Sequence, residues 1–384
     1  RGLVGSEMCI RDSLHLVQCA GGVDCYLRML LSFMDKISFE QILVCSKDYK
    51  KIDYQFLVDR FIQVDMCNSL SLISDIRAIY LVRGLIKHFQ PDIIYCHSSK
   101  AGGIGRLANI GTGIPLIYNP HGWAFNMKGS WSKCLVYKWI ERFLALFTVK
   151  YILISNNEKL SAIRYRIANP NKMKVIFNGI DLARVNRQVQ GGTVDRRYLH
   201  ISDNAYIIGM VGRISAQKAP DTFIRVASVI KKKIPQAYFI IVGDGDQRDE
   251  IEQMIENEGL NGEILITGWV DNPLTYANLF DQAVLLSRWE GFGLVLAEYM
   301  ELEKPIVATN VDAIPDLITD YDNGLLVEVD NVEQIVCAIE TIYNDHNLKR
   351  KIVKNGRMRV ESFFTINRMV DEHERLFITL LDRK

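Results

Sequence analysis

Short apolar runs with the character of β-strands alternate with amphipathic runs of helical period along almost the whole chain. The first series has strand-like runs at 14–18, 41–45, 92–96, 116–119 and 151–155. The second series has them at 206–211, 238–242, 264–267, 283–287, 306–309 and 325–328. Because strands that alternate with helices pair in parallel through right-handed crossovers, the pattern predicts an α/β chain with two Rossmann-like domains.

The domain limits follow from the places where this pattern lapses. Residues 1–13 show no periodicity and no initiating Met, so we expect a foreign leader there. We assign 14–182 to the first domain, 183–204 to a polar linker region and 205–362 to the second domain. Residues 363–384 place apolar side chains on one helical face, which predicts a terminal helix that lies on another surface.

Composition excludes several classes of protein. The 384 residues are 48% hydrophobic, enough for two domain cores, and the net charge of +1 gives no indication of nucleic-acid binding. Pro115 and Pro120 interrupt the longest uncharged stretch, 107–127, so it cannot span a membrane as a helix. The eight cysteines form no C-x-x-C pair, which is typical of reduced thiols in a cytoplasmic protein.

One segment that joins a strand end to a helix start carries the strongest functional pattern. After the run 283–287 come Glu290 and the turn Gly291–Phe292–Gly293, and Glu298 lies about one turn inside a helix that begins near Gly293. A helix N-terminus favours an anion through its free amides and its dipole. We expect a phosphate between the two glutamates, held by the amides of Phe292, Gly293 and Leu294. A plain strand-to-helix junction with solvated glutamates is the alternative.

Two cations follow the strand-like run 206–211. Gly212 and Arg213 come directly after the run, and Lys218 precedes an expected helix start. Cations at the carboxyl end of a parallel strand suit a diphosphate. Ordinary surface cations at a strand end are the alternative.

A metal site is considered and set aside. Asp244 and Asp246 have the D-x-D spacing of a site for a hard cation. The glycine turn in which they lie already explains both residues through turn and cap chemistry. We therefore predict no metal site.

The first domain has its own candidates at strand ends. His121 follows the run 116–119 and precedes a glycine, a position that faces the ligand crevice of an α/β sheet. His97 ends another run with the same geometry. A structural histidine is the alternative for both. Gly21 and Gly22 permit close backbone approach to a ligand, although they lack the G-x-G-x-x-G spacing of a dinucleotide site.

Residues 128–150 combine aromatic side chains with five basic residues and one acid. The basic residues are Lys128, Lys133, Lys138, Arg142 and Lys150. This composition suits an anionic membrane interface. A buried core helix with a basic edge is the alternative.

Together these motifs resemble the family 4 retaining glycosyltransferases of the GT-B fold, over nearly the whole of 14–381. The most specific mark is the E-x7-E motif from Glu290 to Glu298. The segment 178–181 resembles the connection between the family's two domains. The segments 97–102 and 120–125 are similar to family members that build bacterial exopolysaccharide, capsule or lipopolysaccharide.

The resemblance implies two domains that face each other across a cleft, with the terminal helix crossing back to the first. It implies a UDP- or GDP-sugar as co-substrate without a further cofactor, and a glycan or lipid-linked acceptor. The leaving diphosphate would itself take the acceptor's proton, so no carboxylate acts as a nucleophile. The protein would work in the cytoplasm, peripherally on the inner face of the cytoplasmic membrane.

The resemblance also implies roles by position. Its catalytic set is His121, Glu290, Arg213 and Lys218. Glu290 would bind the donor sugar, Glu298 the ribose, and the two cations the diphosphate, with Gly212 beside them. Gly21 and Gly22 would approach the phosphates. The acceptor side would contain His97, Ser98 and Lys100.

This chain departs from the family pattern at two places. Tyr299 stands where the family usually has Ala, and 312–316 replaces a Gly-Gly-x-x-Glu pattern. Both departures bear on the identity of the donor sugar. A nucleotide-sugar epimerase and an inactive donor-binding protein remain as rival hypotheses, whereas an NAD-dependent oxidoreductase lacks its dinucleotide fingerprint.

Overall fold

The computed structural model describes residues 10–18, 22–66, 71–126, 131–192 and 194–382. The chain forms two compact units. The first unit contains Arg1–Asn178 together with Ile366–Lys384, and the second contains Gly179–Thr365.

The first unit is built on a parallel sheet of seven strands, counted over the described residues, in the order β3-β2-β1-β4-β5-β6-β7. Its strands are β1 (Arg11–Val17), β2 (Phe39–Cys45), β3 (Arg60–Gln63), β4 (Ile93–His97), β5 (Leu116–Asn119), β6 (Lys150–Leu153) and β7 (Met173–Val175). Its first five helices are α1 (Gly22–Phe33), α2 (Leu72–Phe89), α3 (Ser99–Ala108), α4 (Trp131–Leu144) and α5 (Asn156–Arg164). Separate apolar clusters cover the two faces of the sheet, as a doubly wound fold requires.

The second unit repeats this architecture around a parallel sheet with the order β10-β9-β8-β11-β12-β13. Its strands are β8 (Tyr206–Val211), β9 (Ala237–Val242), β10 (Ile264–Ile266), β11 (Gln282–Leu285), β12 (Ile306–Thr309) and β13 (Leu325–Val327). Its helices are α6 (Leu182–Gln190), α7 (Pro220–Lys233), α8 (Arg248–Asn257), α9 (Pro273–Ala277), α10 (Leu294–Glu301), α11 (Ile314–Leu317), α12 (Val332–Asn344) and α13 (His346–Phe363). The predicted α/β fold with two Rossmann-like sheets is confirmed.

The terminal helix α14 (Ile366–Leu381) belongs to the first unit. Met369, Val370 and Phe377 are buried in the apolar cluster that also contains Leu27 and Leu30 of α1. The chain therefore returns to its first unit after completing the second, as the resemblance implies.

Two predicted limits differ from the structure. β1 begins at Arg11, so 11–13 lie within the first sheet and not outside the fold, since Ser13 pairs with Gln41 in the parallel ladder and is fully buried. The predicted linker 183–204 folds with the second unit. Its first half is α6, which the Asp181 side chain caps by accepting from the Arg184 amide at 2.9 Å.

The described part of the chain contains no helix that combines the length and the apolar character needed to cross a bilayer.

Candidate functional site

The turn before α10 has the geometry that the sequence predicts. α10 begins at Leu294, directly after Gly293, whose φ of 85° is readily adopted by glycine. A Cβ at Gly293 would also lie 3.4 Å from side-chain atoms of Glu290 and Leu285. Gly291 is exposed, and Phe292 is buried against the ring of Phe364 at 5.9 Å. The amides at the start of α10 are thus held on a packed turn.

Glu290 and Lys218 form an ion pair between the Glu290 carboxylate and the Lys218 ammonium group. The hydroxyl of Ser287 donates to the same carboxylate oxygen at 3.1 Å. Both charged side chains are largely buried, with 16% of Lys218 and 10% of Glu290 exposed. The structure therefore brings together two predicted site residues that lie 72 positions apart in the sequence.

Glu298 is half-buried inside α10. Burial raises the pKa of its carboxyl to about 7, and the charge of Arg184 partly opposes that shift. A carboxyl group that is poorly solvated and has a raised pKa is a common feature of binding sites.

The loop that carries Arg213 is supported by backbone packing. The Gly212 amide donates to the Val242 carbonyl at 3.0 Å, and a Cβ on Gly243 would lie 2.1 Å from the Gly212 carbonyl oxygen. A Cβ on Gly245 would meet the Ile214 carbonyl oxygen at the same distance. The glycines after β9 thus allow the loop to lie against them, and the Arg213 side chain is exposed above it.

Arg288 joins the two halves of this site, a role that the sequence pattern did not indicate. Its guanidinium donates to Asp330 at 2.8 Å, to Asp221 at 2.7 Å and to the Ala216 carbonyl at 3.1 Å. These contacts raise the pKa of Arg288, chiefly through its hydrogen bonds to Asp330 and Asp221. Arg288 therefore ties the loop before Glu290 to the loop that ends at Lys218.

The two departures from the family pattern both contact site residues. The hydroxyl oxygen of Tyr299, fully buried, accepts a hydrogen bond from the Val211 amide at 2.7 Å, which links α10 to the end of β8. The Asp312 carboxylate accepts from the Glu290 amide at 2.9 Å. Asp312 has a φ of 47°, a left-handed conformation that suits the glycine usual in the family at this position.

Asp244 has partners that account for it without a metal. Its carboxylate accepts from the Gly245 amide at 2.8 Å and pairs with Arg248 at 3.1 Å. Within the residues that the structure describes, no group of three or more His, Cys, Asp or Glu side chains is arranged to hold a metal ion.

His121 lies just past β5 with a φ of 51°. Its amide donates to the side-chain oxygen of Asn119 at 3.0 Å, and the next amide, that of Gly122, donates to the Glu158 carboxylate at 2.5 Å. Glu158 also accepts from the Ile154 amide at 2.9 Å, and burial raises the pKa of its carboxyl to about 7. Ser155 caps α5 by accepting from the Glu158 amide at 3.1 Å, while the Glu158 side chain holds the turn that follows His121.

The structure places His97, which the sequence analysis assigned to the acceptor side, in the interior of the first unit. Its side chain is fully buried and lies between two other histidines, 3.1 Å from His121 and 3.4 Å from His15. Ser98 is also buried, and Lys100 pairs with Asp75 at 2.7 Å.

Other first-domain predictions fall partly outside the described residues. Gly21 lies outside them, whereas Gly22 is the exposed first residue of α1. An added Cβ at Gly22 would meet no described atom within 4 Å, so a ligand could approach its backbone.

Of the segment 128–150, Lys128 also lies outside the described part. The rest contains α4, and the alternative of a buried core helix is wrong, because the buried residues of α4 are only Glu141 and Leu144 among those described. Its exposed apolar side chains are Trp131, Leu135, Val136, Trp139, Ile140 and Phe143.

Two models of protein families match the chain. The model described as Glycosyltransferase Family 4 matches residues 20–184, and the one described as Glycosyl transferases group 1 matches residues 193–359.

Similar proteins extend over nearly the full length of the chain. The UDP-Gal:alpha-D-GlcNAc-diphosphoundecaprenol alpha-1,3-galactosyltransferase of Escherichia coli is 29% identical over 93% of this chain and 96% of its own length. The capsular polysaccharide biosynthesis glycosyltransferase CapM of Staphylococcus aureus is 26% identical over 96% and 97%. The crystal structure of Anabaena HepE in complex with UDP shares the fold, with a TM-score of 0.81 at 20% identity over 96% of this chain and 100% of that one.

Proposed function

Because the chain belongs to the group 1 and family 4 glycosyltransferases, we propose that it moves a sugar from a UDP- or GDP-sugar to a glycan or lipid-linked acceptor during the synthesis of a bacterial surface polysaccharide. The proposed transfer retains the anomeric configuration and needs no metal. Its proposed place is the inner face of the cytoplasmic membrane.

The observation that carries this proposal is the contact between Lys218 and Glu290 beside the start of α10. An ammonium group, the exposed Arg213 and helix N-terminal amides are the donors that a diphosphate prefers. The Glu290 carboxylate accepts hydrogen bonds from hydroxyls of the donor sugar, and the Glu298 carboxylate accepts them from hydroxyls of the ribose. Two similar proteins support a nucleoside-diphosphate donor, since the name of the E. coli protein specifies a UDP-Gal donor and the Anabaena structure contains UDP.

The mechanism follows from where charge develops. As the glycosidic bond breaks, negative charge grows on the leaving diphosphate, and fixed cations stabilise it without having to reorganise. A diphosphate oxygen on the same face of the sugar takes the acceptor's proton, so the acceptor attacks from the side that the diphosphate leaves. Glu290 positions the sugar and forms no covalent bond with it.

The proposal is tested by screening nucleotide sugars for binding and for release of the nucleoside diphosphate. We expect one donor to bind, and Arg213→Gln to weaken that binding by about 1.5–3 kcal/mol, the usual range for a lost hydrogen bond to a charged group. Arg350→Gln removes the same charge from an exposed position of α13 and is the matched control. Failure of every nucleotide sugar to bind, or equal affinity in both variants, would contradict the proposal.

Metal independence is a separate prediction. Transfer should continue at an unchanged rate in excess EDTA, because Arg213, Lys218 and the α10 amides supply the positive charge that a metal would otherwise bring. The measurement is the initial transfer rate with and without chelator. Loss of activity that Mg²⁺ or Mn²⁺ restores would show that the cationic residues are not sufficient.

Membrane association is proposed from the surface of α4. Trp131 is 79% exposed and Trp139 61%, and these side chains share the helix with other exposed apolar residues. Fewer cations project from it than the composition suggests, because Lys138 lies 3.5 Å from the centre of the Tyr165 ring and Arg142 donates to the Tyr165 carbonyl at 2.6 Å. An apolar face with a thin basic margin suits a helix lying in a lipid interface.

We expect Trp131→Ser combined with Trp139→Ser to weaken binding to vesicles of phosphatidylglycerol and phosphatidylcholine at least about tenfold, since each burial in lipid contributes roughly 1.5–3 kcal/mol. Trp269→Ser, at a tryptophan that is 83% exposed in the second unit, is the control. Co-sedimentation measures the bound fraction. Equal vesicle binding by the double variant and the wild type would show that α4 does not contact the membrane.

A further inference from the structure

Three imidazoles and the Gln41 side chain form a continuous chain of contacts that runs inward from the half-buried His121 across the neighbouring strands β5, β4, β1 and β2. His121 Nε2 lies 3.1 Å from His97 Nδ1, and His97 Nε2 lies 3.4 Å from His15 Nδ1. His15 Nε2 lies 2.9 Å from the side-chain oxygen of Gln41. Neighbouring rings are nearly parallel, with interplanar angles of 23° and 12°. His97, His15 and Gln41 have no exposed surface, so their side-chain contacts are part of the core of the first unit.

The three rings are neutral near pH 7. Burial lowers the pKa of His15 to about 4 and that of His121 to about 3, and it lowers the pKa of His97 well below its ordinary value. A neutral imidazole has one N–H donor and one acceptor nitrogen. Each ring that donates to one neighbour must therefore accept from the other. The N–H groups of all three rings then point the same way along the chain of contacts.

Gln41 sets that direction. Its side-chain oxygen can only accept, and it lies 2.7 Å from the Ser13 hydroxyl and 2.9 Å from His15 Nε2. His15 therefore carries its proton on Nε2 and accepts through Nδ1 from His97. His97 in turn accepts from His121 Nε2–H, which leaves the lone pair of His121 Nδ1 without a partner among the residues that the structure describes.

We propose that Gln41, His15 and His97 are positioning residues that hold His121 as the Nε2–H tautomer, so that Nδ1 accepts a hydrogen bond from a hydroxyl of the sugar substrate. The role in transfer rests on the proposed function, whereas the tautomer does not.

A second buried chain holds the backbone of His121. From the amide of His121 it runs through Asn119, Tyr95, Tyr26 and His373 of α14. His373 Nδ1 donates to the Met369 carbonyl at 2.7 Å, so its Nε2 accepts from Tyr26 at 2.8 Å. The Asn119 amide group donates to the Tyr95 hydroxyl at 3.2 Å, which turns its oxygen toward the His121 amide. The backbone and the side chain of His121 are thus fixed independently.

The test compares the wild-type chain with a variant that combines Ser13→Ala and Gln41→Met. These changes remove both groups that His15 Nε2 reaches, and they also remove the Gln41 amide nitrogen, which is buried without a partner among the described residues. Replacing both members of the buried Ser13–Gln41 pair by apolar groups is close to neutral, so the cost to folding comes from the His15 nitrogen that loses its partners. The matched control combines Tyr206→Phe with Gln282→Met, which removes an equivalent 3.0 Å hydrogen bond from the second unit.

The readouts are long-range ¹H–¹⁵N NMR correlations of the histidine rings in the full-length protein and the kinetics of transfer. His121→Gln identifies the His121 signals. We expect wild-type His121 to be protonated on Nε2 only, and the Ser13/Gln41 variant to contain both tautomers. Its kcat should fall about tenfold with little change in the donor KM, as expected when a contacting group is held less precisely. The control should match the wild type, and thermal unfolding should show both variants to be folded.

A proton on Nδ1 of wild-type His121, or an unchanged tautomer in the Ser13/Gln41 variant, would overturn the proposal. A changed tautomer with an unchanged kcat would overturn its role in transfer. If no nucleotide sugar supports transfer by the wild type, the proposed function fails, and the NMR spectra still decide whether the chain sets the tautomer.

Discussion

Replacing Glu290 with Gln should lower kcat about 100-fold and should leave the affinity for the nucleoside diphosphate unchanged or tighter. A loss of this size is typical when one preorganised polar contact to the developing transition state is removed. The nucleotide affinity should not fall, because the Glu290 carboxylate pairs with the Lys218 ammonium group and so competes with the diphosphate for it. The Gln side chain carries no charge, so the Lys218 ammonium group becomes more available to the diphosphate.

The measurement pairs single-turnover rates with product-inhibition constants for the nucleoside diphosphate. Glu303→Gln, at an exposed glutamate that follows α10, is the matched control and should behave like the wild type. A Glu290→Gln variant that retains full turnover would exclude Glu290 from the sugar site. A variant that loses nucleotide affinity would show that Glu290 contacts the nucleotide rather than the sugar.

The ion pair also shapes what Lys218 variants should do. Lys218→Met removes a diphosphate contact and leaves the Glu290 carboxylate, 10% exposed, with the Ser287 hydroxyl as a neutral partner. An unpaired and poorly solvated carboxylate repels a diphosphate. The lost diphosphate contact and the unpaired Glu290 carboxylate both weaken nucleotide binding. Because Lys218 and Glu290 contact each other, the effects of Lys218→Met and Glu290→Gln on that binding should not be additive.

Most of the order of strands and helices could be predicted from the sequence because it depends on local periodicity. The strands β3 and β7 were not predicted, because β3 has no buried residue and β7 has only three residues. The same holds for the start of α10, since Gly293 combines a turn with a helix limit. The sequence pattern did not indicate the helix α6, because the apolar face of this helix is narrow. Val185 is its buried residue, while Asn186 pairs with Glu301 at 2.7 Å and most neighbours are polar.

Contacts between distant strands could not be predicted in the same way. His15 reaches Gln41 across 26 residues and His97 across 82, and these contacts depend on the register of parallel strands. A polar residue inside an apolar strand, such as His15 between Leu14 and Leu16, was the available signal. Arg288 gave no comparable signal, because its partners lie far from it in the sequence, Asp221 in the first turn of α7 and Asp330 in the turn before α12.

Glu298→Gln should make the protein more stable at pH 8 while it weakens binding of the nucleoside diphosphate. The folded carboxyl has a pKa of about 7 against 4.5 for the free group. The folded state therefore binds more protons between these two values, and the free energy of unfolding falls as the pH rises through that window. A neutral Gln avoids this loss, so at pH 8 the free energy of unfolding should rise by about 3 kcal/mol, and this gain should vanish near pH 4.

The loss of binding should be about 1.5–3 kcal/mol if the Glu298 carboxylate accepts hydrogen bonds from the ribose. Thermal unfolding at pH 8 and pH 4, together with titration calorimetry of UDP and GDP, measures both effects. A gain in stability together with a loss of affinity is expected when a substitution removes a poorly solvated charge that the binding site uses to hold its ligand. Equal unfolding midpoints at pH 8 would show that Glu298 is well solvated when ionised, and unchanged affinity would place the ribose elsewhere.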